Sequence, residues 1–391
     1  SYGGSSMLGS AMLAGIILNL TKKRLKMQTF KNNKVIISTG GTGGHVFPAY
    51  SLAKNLIENN YKVEIITDKR GLKFLQKYKD LKLITINSTT FFKKNFFGFI
   101  CSIFVIFFSY LKSLSIIYKS KPSLVFGMGG HASFPICLAA KTLNIPFIIY
   151  ENNLLVGKSN KYLMPLASKV FLAYAAVEGV AKKFKPKVIV IGNIIRDEIL
   201  NFNFKKKHLK NELTILILGG SQAAESFGEF LPKIFKQCVE RNIKLNLIQQ
   251  CTKSQNNKIE KFYKDLKVNF ELFNFSENIL NYFSKAELVI TRSGSSATAE
   301  LLNCKIPFIS IPYPYSADAH QDKNAAYFEN KGYGFFIKEK EVHEKLLPLI
   351  RLIYNDKEIL NKLISEQKKH SDKNVFIKIN NEVKKLINEQ N

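Results

Sequence analysis

The chain has 391 residues, 46% of them apolar, and a formal net charge of +28. That length suits two domains with a core each, and so much positive charge points to an anionic partner, whether nucleic acid, an acidic membrane surface or a phosphorylated substrate. Its five cysteines, Cys101, Cys137, Cys238, Cys251 and Cys304, lie far apart with no C-x-x-C pair. They read as reduced, mostly buried thiols of a cytosolic protein, and neither a disulfide framework nor a zinc site is indicated.

Residues 1–26 pair a short apolar stretch, Met7 to Leu20, with the basic run Lys22-Lys23-Arg24-Leu25-Lys26. The stretch is short for a membrane span, and the charge follows it, whereas a signal peptide carries its charge in front. The segment resembles the end of the last membrane helix of a SEDS-type cell-wall protein. It is expected to be a read-through or fusion remnant, with Met27 as the natural start.

The apolar run Lys34 to Ser38 then leads into Thr39-Gly40-Gly41-Thr42-Gly43-Gly44-His45 and a helical pattern from Val46 to Asn60. Strand, glycine turn and helix start form a diphosphate site, because glycines let backbone N–H groups approach phosphate oxygens and the helix end adds partial positive charge. The spacing is neither G-x-G-x-x-G nor G-x-x-x-x-G-K-[ST], which disfavours a nicotinamide, flavin or nucleoside-triphosphate loop. His45 adds a titratable imidazole at the mouth of the turn.

Further strands are expected at 62–67, 83–86, 123–127, 146–150 and 187–192, with helices between them. A second series follows at 214–218, 244–249, 269–273, 287–291, 307–311 and 334–337, with helices at 223–238, 256–266, 277–285, 295–303 and 320–331. Two such series predict two doubly wound α/β domains, each with its ligand edge at the carboxyl ends of its strands. The connection is expected at 201–212, and a last helix at 371–391. Between the third and fourth strands, the aromatic and apolar run 91–112 fits either a core helix or a helix lying in a bilayer interface. The second is favoured, because a helix apolar on most faces must bury more than one stripe.

Four more segments belong to the same kind of site. Gly127-Met128-Gly129-Gly130-His131 ends a second strand in glycines, and Tyr150-Glu151-Asn152-Asn153 ends the next. In the second half, Gly219-Gly220-Ser221 and Arg292-Ser293-Gly294-Ser295-Ser296-Ala297-Thr298-Ala299-Glu300 repeat the strand, small-residue turn and helix pattern. Glu300 is placed to accept ribose hydroxyls, and His320, Gln321 and Asn324 fall on one helical face suited to a hydroxyl-rich ligand. No D-x-D pair occurs, so diphosphate would be neutralised by dipoles and Arg; no cofactor is called for, and a divalent cation would only assist.

Taken in order, GGTGGHVFPA at 40–49, GMGGHASFP at 127–135, EN at 151–152 with Asn153, GN-x-x-R at 192–196, GGSQ at 219–222, RSG at 292–294 with Glu300, and HQ-x-x-NA at 320–325 resemble the MurG family of glycosyltransferases. The resemblance implies a GT-B fold of two Rossmann-like domains facing across a cleft. It divides the chain into an acceptor-binding domain at 27–195, a UDP-N-acetylglucosamine-binding domain at 196–370 and a final helix that crosses back. It further implies inverting transfer of N-acetylglucosamine to the 4-hydroxyl of an undecaprenyl-diphosphate muramyl-pentapeptide, at the cytoplasmic face of the bacterial plasma membrane. The anionic membrane surface would be met through 91–112, and other cell-wall and division proteins are further partners.

Carried over residue by residue, Thr42, Gly43 and Gly44 line the diphosphate side of the cleft, with Gly129, Gly130 and His131 on the acceptor diphosphate. Asn153 and Arg196 orient donor and acceptor, and Ser221 binds donor phosphate. Ser295, Ser296, Ala297, Thr298 and Ala299 hold uridine and phosphate, with Glu300 on the ribose. Ser276 stands where a larger apolar residue usually meets uracil. Gln321 and Asn324 take the sugar hydroxyls, and His45 is the expected base, with His320 as its competitor. Nucleic acid is not an expected partner, since no binding module accompanies the charge.

Overall fold

The computed structural model describes residues 33–41, 43–78, 80–88, 96–202, 212–276 and 278–389, apart from the side chains of 96–100, 221–224 and 317. The expectations for 1–26, for Thr42 and for most of the 201–212 connection lie outside these residues, as does that for the Ser221 side chain.

Thirteen parallel strands form two sheets among the described residues. The first sheet holds β1 Lys34–Ser38, β2 Lys62–Thr67, β3 Lys82–Thr85, β4 Leu124–Gly127, β5 Phe147–Glu151, β6 Lys169–Leu172 and β7 Val188–Val190, in the order 3-2-1-4-5-6-7. The second holds β8 Leu213–Leu218, β9 Leu245–Gln250, β10 Asn269–Phe273, β11 Leu288–Thr291, β12 Phe308–Ser310 and β13 Phe335–Phe336, in the order 10-9-8-11-12-13. The strands are short Ile-, Val-, Leu- and Phe-rich runs covered on both faces, the setting in which parallel strands occur. Strand β6 was not among the expected strands: it has only four residues, and the Ala173-Tyr174-Ala175 that follows carries no glycine punctuation.

The helices are α1 Gly43–Glu58, α2 Lys69–Leu75, α3 Phe96–Ser120, α4 Ser133–Thr142, α5 Lys158–Leu163 and α6 Asp197–Leu200, followed by α7 Gly220–Glu240, α8 Asn256–Asp265 and α9 Ile279–Lys285. The chain continues through α10 Ser295–Cys304, α11 His320–Asn330, α12 Val342–Asn355, α13 Glu358–Lys368 and α14 Val375–Asn388. Helix α1 begins at Gly43, earlier than its apolar pattern, so both glycines sit in its first turn. Helix α14 returns to the first domain, packing on α1 and β4 with Val375, Ile379 and Val383 wholly buried. One apolar cluster joins that face of the first sheet to the facing side of the second domain, through residues such as Phe126, Ile195, Ala299 and Phe328.

Each sheet reverses its winding at one point, between β1 and β4 in the first and between β8 and β11 in the second. There the connections leave in opposite directions and open a crevice at the carboxyl edge, where ligands bind in open α/β sheets. Ser38 lies level with Gly127 and Leu218 level with Thr291, so in each domain the two turns leave the sheet side by side.

Helix α3 is built inside out. Ser102, Ser109, Ser113, Tyr110 and Ile117 face the domain, while Ile103, Phe104, Phe107, Phe108, Leu111 and Tyr118 are exposed. Ser109 Oγ donates to the Asn87 carbonyl at 2.6 Å and the Tyr110 hydroxyl pairs with Thr142 Oγ1 at 2.9 Å, so the polar groups bind inward. By length and composition Cys101–Ser120 could cross a membrane. Its two ends, however, feed β3 and β4 of one sheet, which lays the helix along the domain.

Candidate active site

In the first domain the two glycine turns pack backbone against backbone. A Cβ on Gly130 would come within 2.6 Å of the Gly40 carbonyl oxygen, and Gly130 itself sits at φ +78. Only glycine satisfies both conditions without strain. The turns are stitched together by Ser133 Oγ, which donates to the Ser38 carbonyl at 2.8 Å, and by Ser38 Oγ, which donates to the Ala132 carbonyl at 3.2 Å. From the β2 side Asp68 holds the first turn. It caps α2 and accepts from the N–H groups of Gly41, Arg70 and Gly71, from the Arg70 guanidinium and from Ser88 Oγ. Burial alone would raise its pKa, yet these donors outweigh burial and hold the carboxyl below the usual Asp value.

His45 lies over the second turn, with Cε1 and Nδ1 2.8 Å from the position a Gly129 Cβ would take. Burial pushes its pKa below the ordinary imidazole value, against the pull of Glu151 and the Met128 backbone and with a further push from His320. At neutral pH the ring is therefore uncharged and able to accept a proton. His131 is lowered as well, by burial and then by the charge of Arg70. Glu151 is fixed by Asn153 N–H and Nδ2 at 3.1 Å, by Gly157 N–H at 2.8 Å and by Asn160 Nδ2 at 3.0 Å. Glu151, from the same domain, and His320, from the other, thus act on His45 with opposite signs.

The second domain closes against these turns. Pro48 sits inside α1 and has no N–H, so the Gly44 carbonyl four residues earlier lacks its helical donor. That carbonyl instead accepts from Asn152 Nδ2 at 2.9 Å and, from the other domain, from Ser296 Oγ at 2.8 Å. Ser296 belongs to the first turn of α10, whose N-terminal end is open because Gly294 caps it without a side chain. Nearby, Arg196 makes a forked ion pair with Glu300 at 3.0–3.2 Å. Burial raises the Glu300 carboxyl and Arg196 counters part of that rise. Phe47, Ser51, Tyr150, Ile194, Arg196 and Glu300 line a small cavity between the domains.

Several expected ligand contacts are, in this arrangement, protein contacts. Asn324 is wholly buried; its Oδ1 accepts from Leu154 N–H at 3.0 Å, and its Nδ2 donates to the Ser293 carbonyl and to Asn153 Oδ1. In this arrangement the amide expected at the sugar hydroxyls ties the two domains together. Asn153 is committed likewise, through Asn324, Glu151 and Asn152. Gln321 Oε1 accepts from Tyr313 N–H at 2.9 Å and so braces the loop before α11. Glu300, expected on a ribose, is held by Arg196, which was itself expected to orient donor and acceptor. Ser295, Ala297, Thr298 and Ala299 form the α10 start beside Ser296, with Thr298 Oγ1 turned back to the Gly294 carbonyl. Ser276 stands apart from this group, just beyond the end of β10, beside the exposed ring of Phe275.

The sequence reading passed over Asp68 and Arg70, and it quoted Pro48 and Arg292 only within longer motifs, without a role of their own. Arg292 is buried in the second-domain turn, donates to the carbonyls of Ile311 and Pro312 at 3.2 and 3.0 Å, and pairs with Glu339. An Asp directly before a helix, and a Pro within a helical pattern, were the available signals for the first and third.

Comparison with known proteins follows the same division. Residues 35–172 match the glycosyltransferase family 28 N-terminal domain, and residues 214–379 match the family 28 C-terminal domain. A relative from Pelagibacter ubique, named UDP-N-acetylglucosamine--N-acetylmuramyl-(pentapeptide) pyrophosphoryl-undecaprenol N-acetylglucosamine transferase, is 35% identical over 92% of this chain and 99% of its own length. One of the same name from Rickettsia felis is 34% identical over 81% of this chain and 91% of its own. Among solved structures, Acinetobacter baumannii MurG superposes with a TM-score of 0.73 at 24% identity, covering 90% of this chain and 99% of that one. A UDP complex of Staphylococcus aureus MnaA gives 0.65 at 15% identity over 91% and 97%, a likeness of fold.

Proposed function

The chain belongs to glycosyltransferase family 28, and from that premise we propose that it transfers N-acetylglucosamine from UDP-N-acetylglucosamine to the 4-hydroxyl of an undecaprenyl-diphosphate-linked muramyl-pentapeptide, releasing UDP. The observation that carries this reading is the convergence of four strand-end turns at one interdomain crevice, with a neutral imidazole over the acceptor-side pair. An acceptor diphosphate belongs at the turns after β1 and β4, and the donor nucleotide at the turns after β8 and β11. His45 takes the proton from the attacking hydroxyl as the bond to C1 forms, and the leaving diphosphate is stabilised by the N-terminal ends of α7 and α10. Attack from the face opposite the leaving group inverts the anomeric carbon.

The exposed phenylalanines of α3 carry the second part of the proposal. Phe104, Phe107 and Phe108 are 58%, 46% and 64% exposed, and a ridge of such rings on a soluble face fits insertion among lipid headgroups. These rings support a peripheral position on the cytoplasmic side of the plasma membrane, where a lipid-linked acceptor would be presented.

The test is transfer of labelled N-acetylglucosamine to a short-chain analogue of the lipid-linked acceptor. Formation of a β-linked disaccharide with release of UDP supports the reading. Epimerisation of UDP-N-acetylglucosamine without transfer would overturn it in favour of the donor-only chemistry named for some structural neighbours.

A further inference from the structure

The two glycine turns of the first domain offer backbone N–H groups, and the imidazoles beside them are held toward neutrality, so a docked diphosphate would find dipoles there but little net positive charge. A cation has to come from elsewhere. Arg70, in the first turn of α2, stands at that place. Its Nη2 lies 3.8 Å from the position a Cβ on Gly41 would occupy, at the mouth of the first turn.

The guanidinium is held in place before any ligand arrives. Nε and Nη2 donate to Asp68 Oδ2 at 3.2 and 2.9 Å, while Oδ1 of the same carboxylate accepts from Gly41 N–H at 3.3 Å. One carboxylate thus sets both the anion-binding turn and the cation beside it. Asp68 lies behind, its side chain 5% exposed, and Arg70 lies in front at 58%, so an incoming anion meets the guanidinium first. Nη1 makes no hydrogen bond among the described residues, which leaves a planar donor edge for phosphate oxygens. Lys158 is the competing cation, since its charge also reaches His131, but it is paired across the cleft with Asp318 at 3.3 Å.

We propose that Arg70 is the cation that binds the diphosphate of the lipid-linked acceptor, held against the first glycine turn by Asp68. The assignment rests on the reading that the first domain takes that diphosphate, and it adds a residue and a charge to it.

The experiment titrates farnesyl diphosphate into the full chain by calorimetry with the donor site saturated by UDP, and titrates UDP alone in parallel. Arg70→Ala should weaken farnesyl diphosphate binding at least tenfold and flatten its salt dependence, with UDP affinity and melting temperature unchanged. Arg70→Lys should recover part of the affinity, because it restores charge without the fork. Wild-type affinity in Arg70→Ala, or loss in Lys158→Ala alone, would overturn the assignment to Arg70 and leave the acceptor reading standing. No binding of farnesyl diphosphate to the wild-type chain would overturn the acceptor reading and the assignment together.

Discussion

Replacing Pro48 with Ala should make the protein more stable and a poorer enzyme. Proline inside a helix costs roughly 3 kcal/mol or more through its lost N–H and its clash with the carbonyl four residues back, while the ring returns about 1 kcal/mol by restricting the unfolded chain. The alanine variant should therefore gain up to about 2 kcal/mol, which raises Tm by about 4 °C or less in a chain of this size. The new N–H at position 48 points at the Gly44 carbonyl, whose two lone pairs already accept from Asn152 and Ser296. If Ser296 is displaced, the closed arrangement loses one hydrogen bond of about 1 kcal/mol, a factor of about five in the closed-to-open ratio. Thermal melts together with kcat/KM would show opposite signs. A cycle with Ser296→Ala should be strongly non-additive, because both changes remove the same bond. Additive losses, or a lowered Tm for Pro48→Ala, would refute the claim that the proline frees this carbonyl for the other domain.

Three further outcomes are expected. Phe104→Ser, Phe107→Ser and Phe108→Ser together should lower partitioning onto anionic vesicles at least a hundredfold while leaving UDP affinity intact, since interfacial burial of these rings is worth several kcal/mol at about 25 cal/mol per Å2; unchanged sedimentation with vesicles would return α3 to a purely soluble role. His45→Ala should cut kcat about a hundredfold or more with little change in donor KM. Since the wild-type ring is lowered, activity is full above the ordinary imidazole range and falls only as the pH drops through the shifted value, so that an acid limb persisting in His45→Ala would remove it as the base. Asn324→Ala strands the Leu154 N–H and the Ser293 carbonyl, at about 1–3 kcal/mol for each group left unpaired, and should loosen the domain contact, read as a larger radius of gyration in solution scattering; an unchanged radius would mean the amide does not hold the domains.

The glycine turns were legible in the sequence because their cause is local. Gly41, Gly129 and Gly130 adopt φ of +88, +90 and +78, and each follows a short apolar strand. Their meeting was legible too, once two successive strand–helix series implied a sheet that reverses its order. What the sequence withheld is whatever depends on how the domains face one another. Leu154 and Asn324 are 170 residues apart, and no periodicity connects them. The same holds for Glu300, whose place in its helix suggested a ribose partner while its Arg196 neighbour is set by the interdomain fit. Helix α3 lies between these cases. Its apolar residues cover most faces, which left burial and interface both open, yet Ser102, Ser109 and Ser113 recur on one side and mark the face that turns inward.

The return of α14 has a consequence for biosynthesis. Val375, Ile379 and Val383 complete the core beside α1 and β4, so the first domain stays unfinished until residues 375–383 have left the ribosome. The nascent half must wait with that groove uncovered while the second half is made, although domains generally mature in the order of translation. A product cut short before residue 375 would carry an uncovered apolar groove on the first domain, beside α1 and β4.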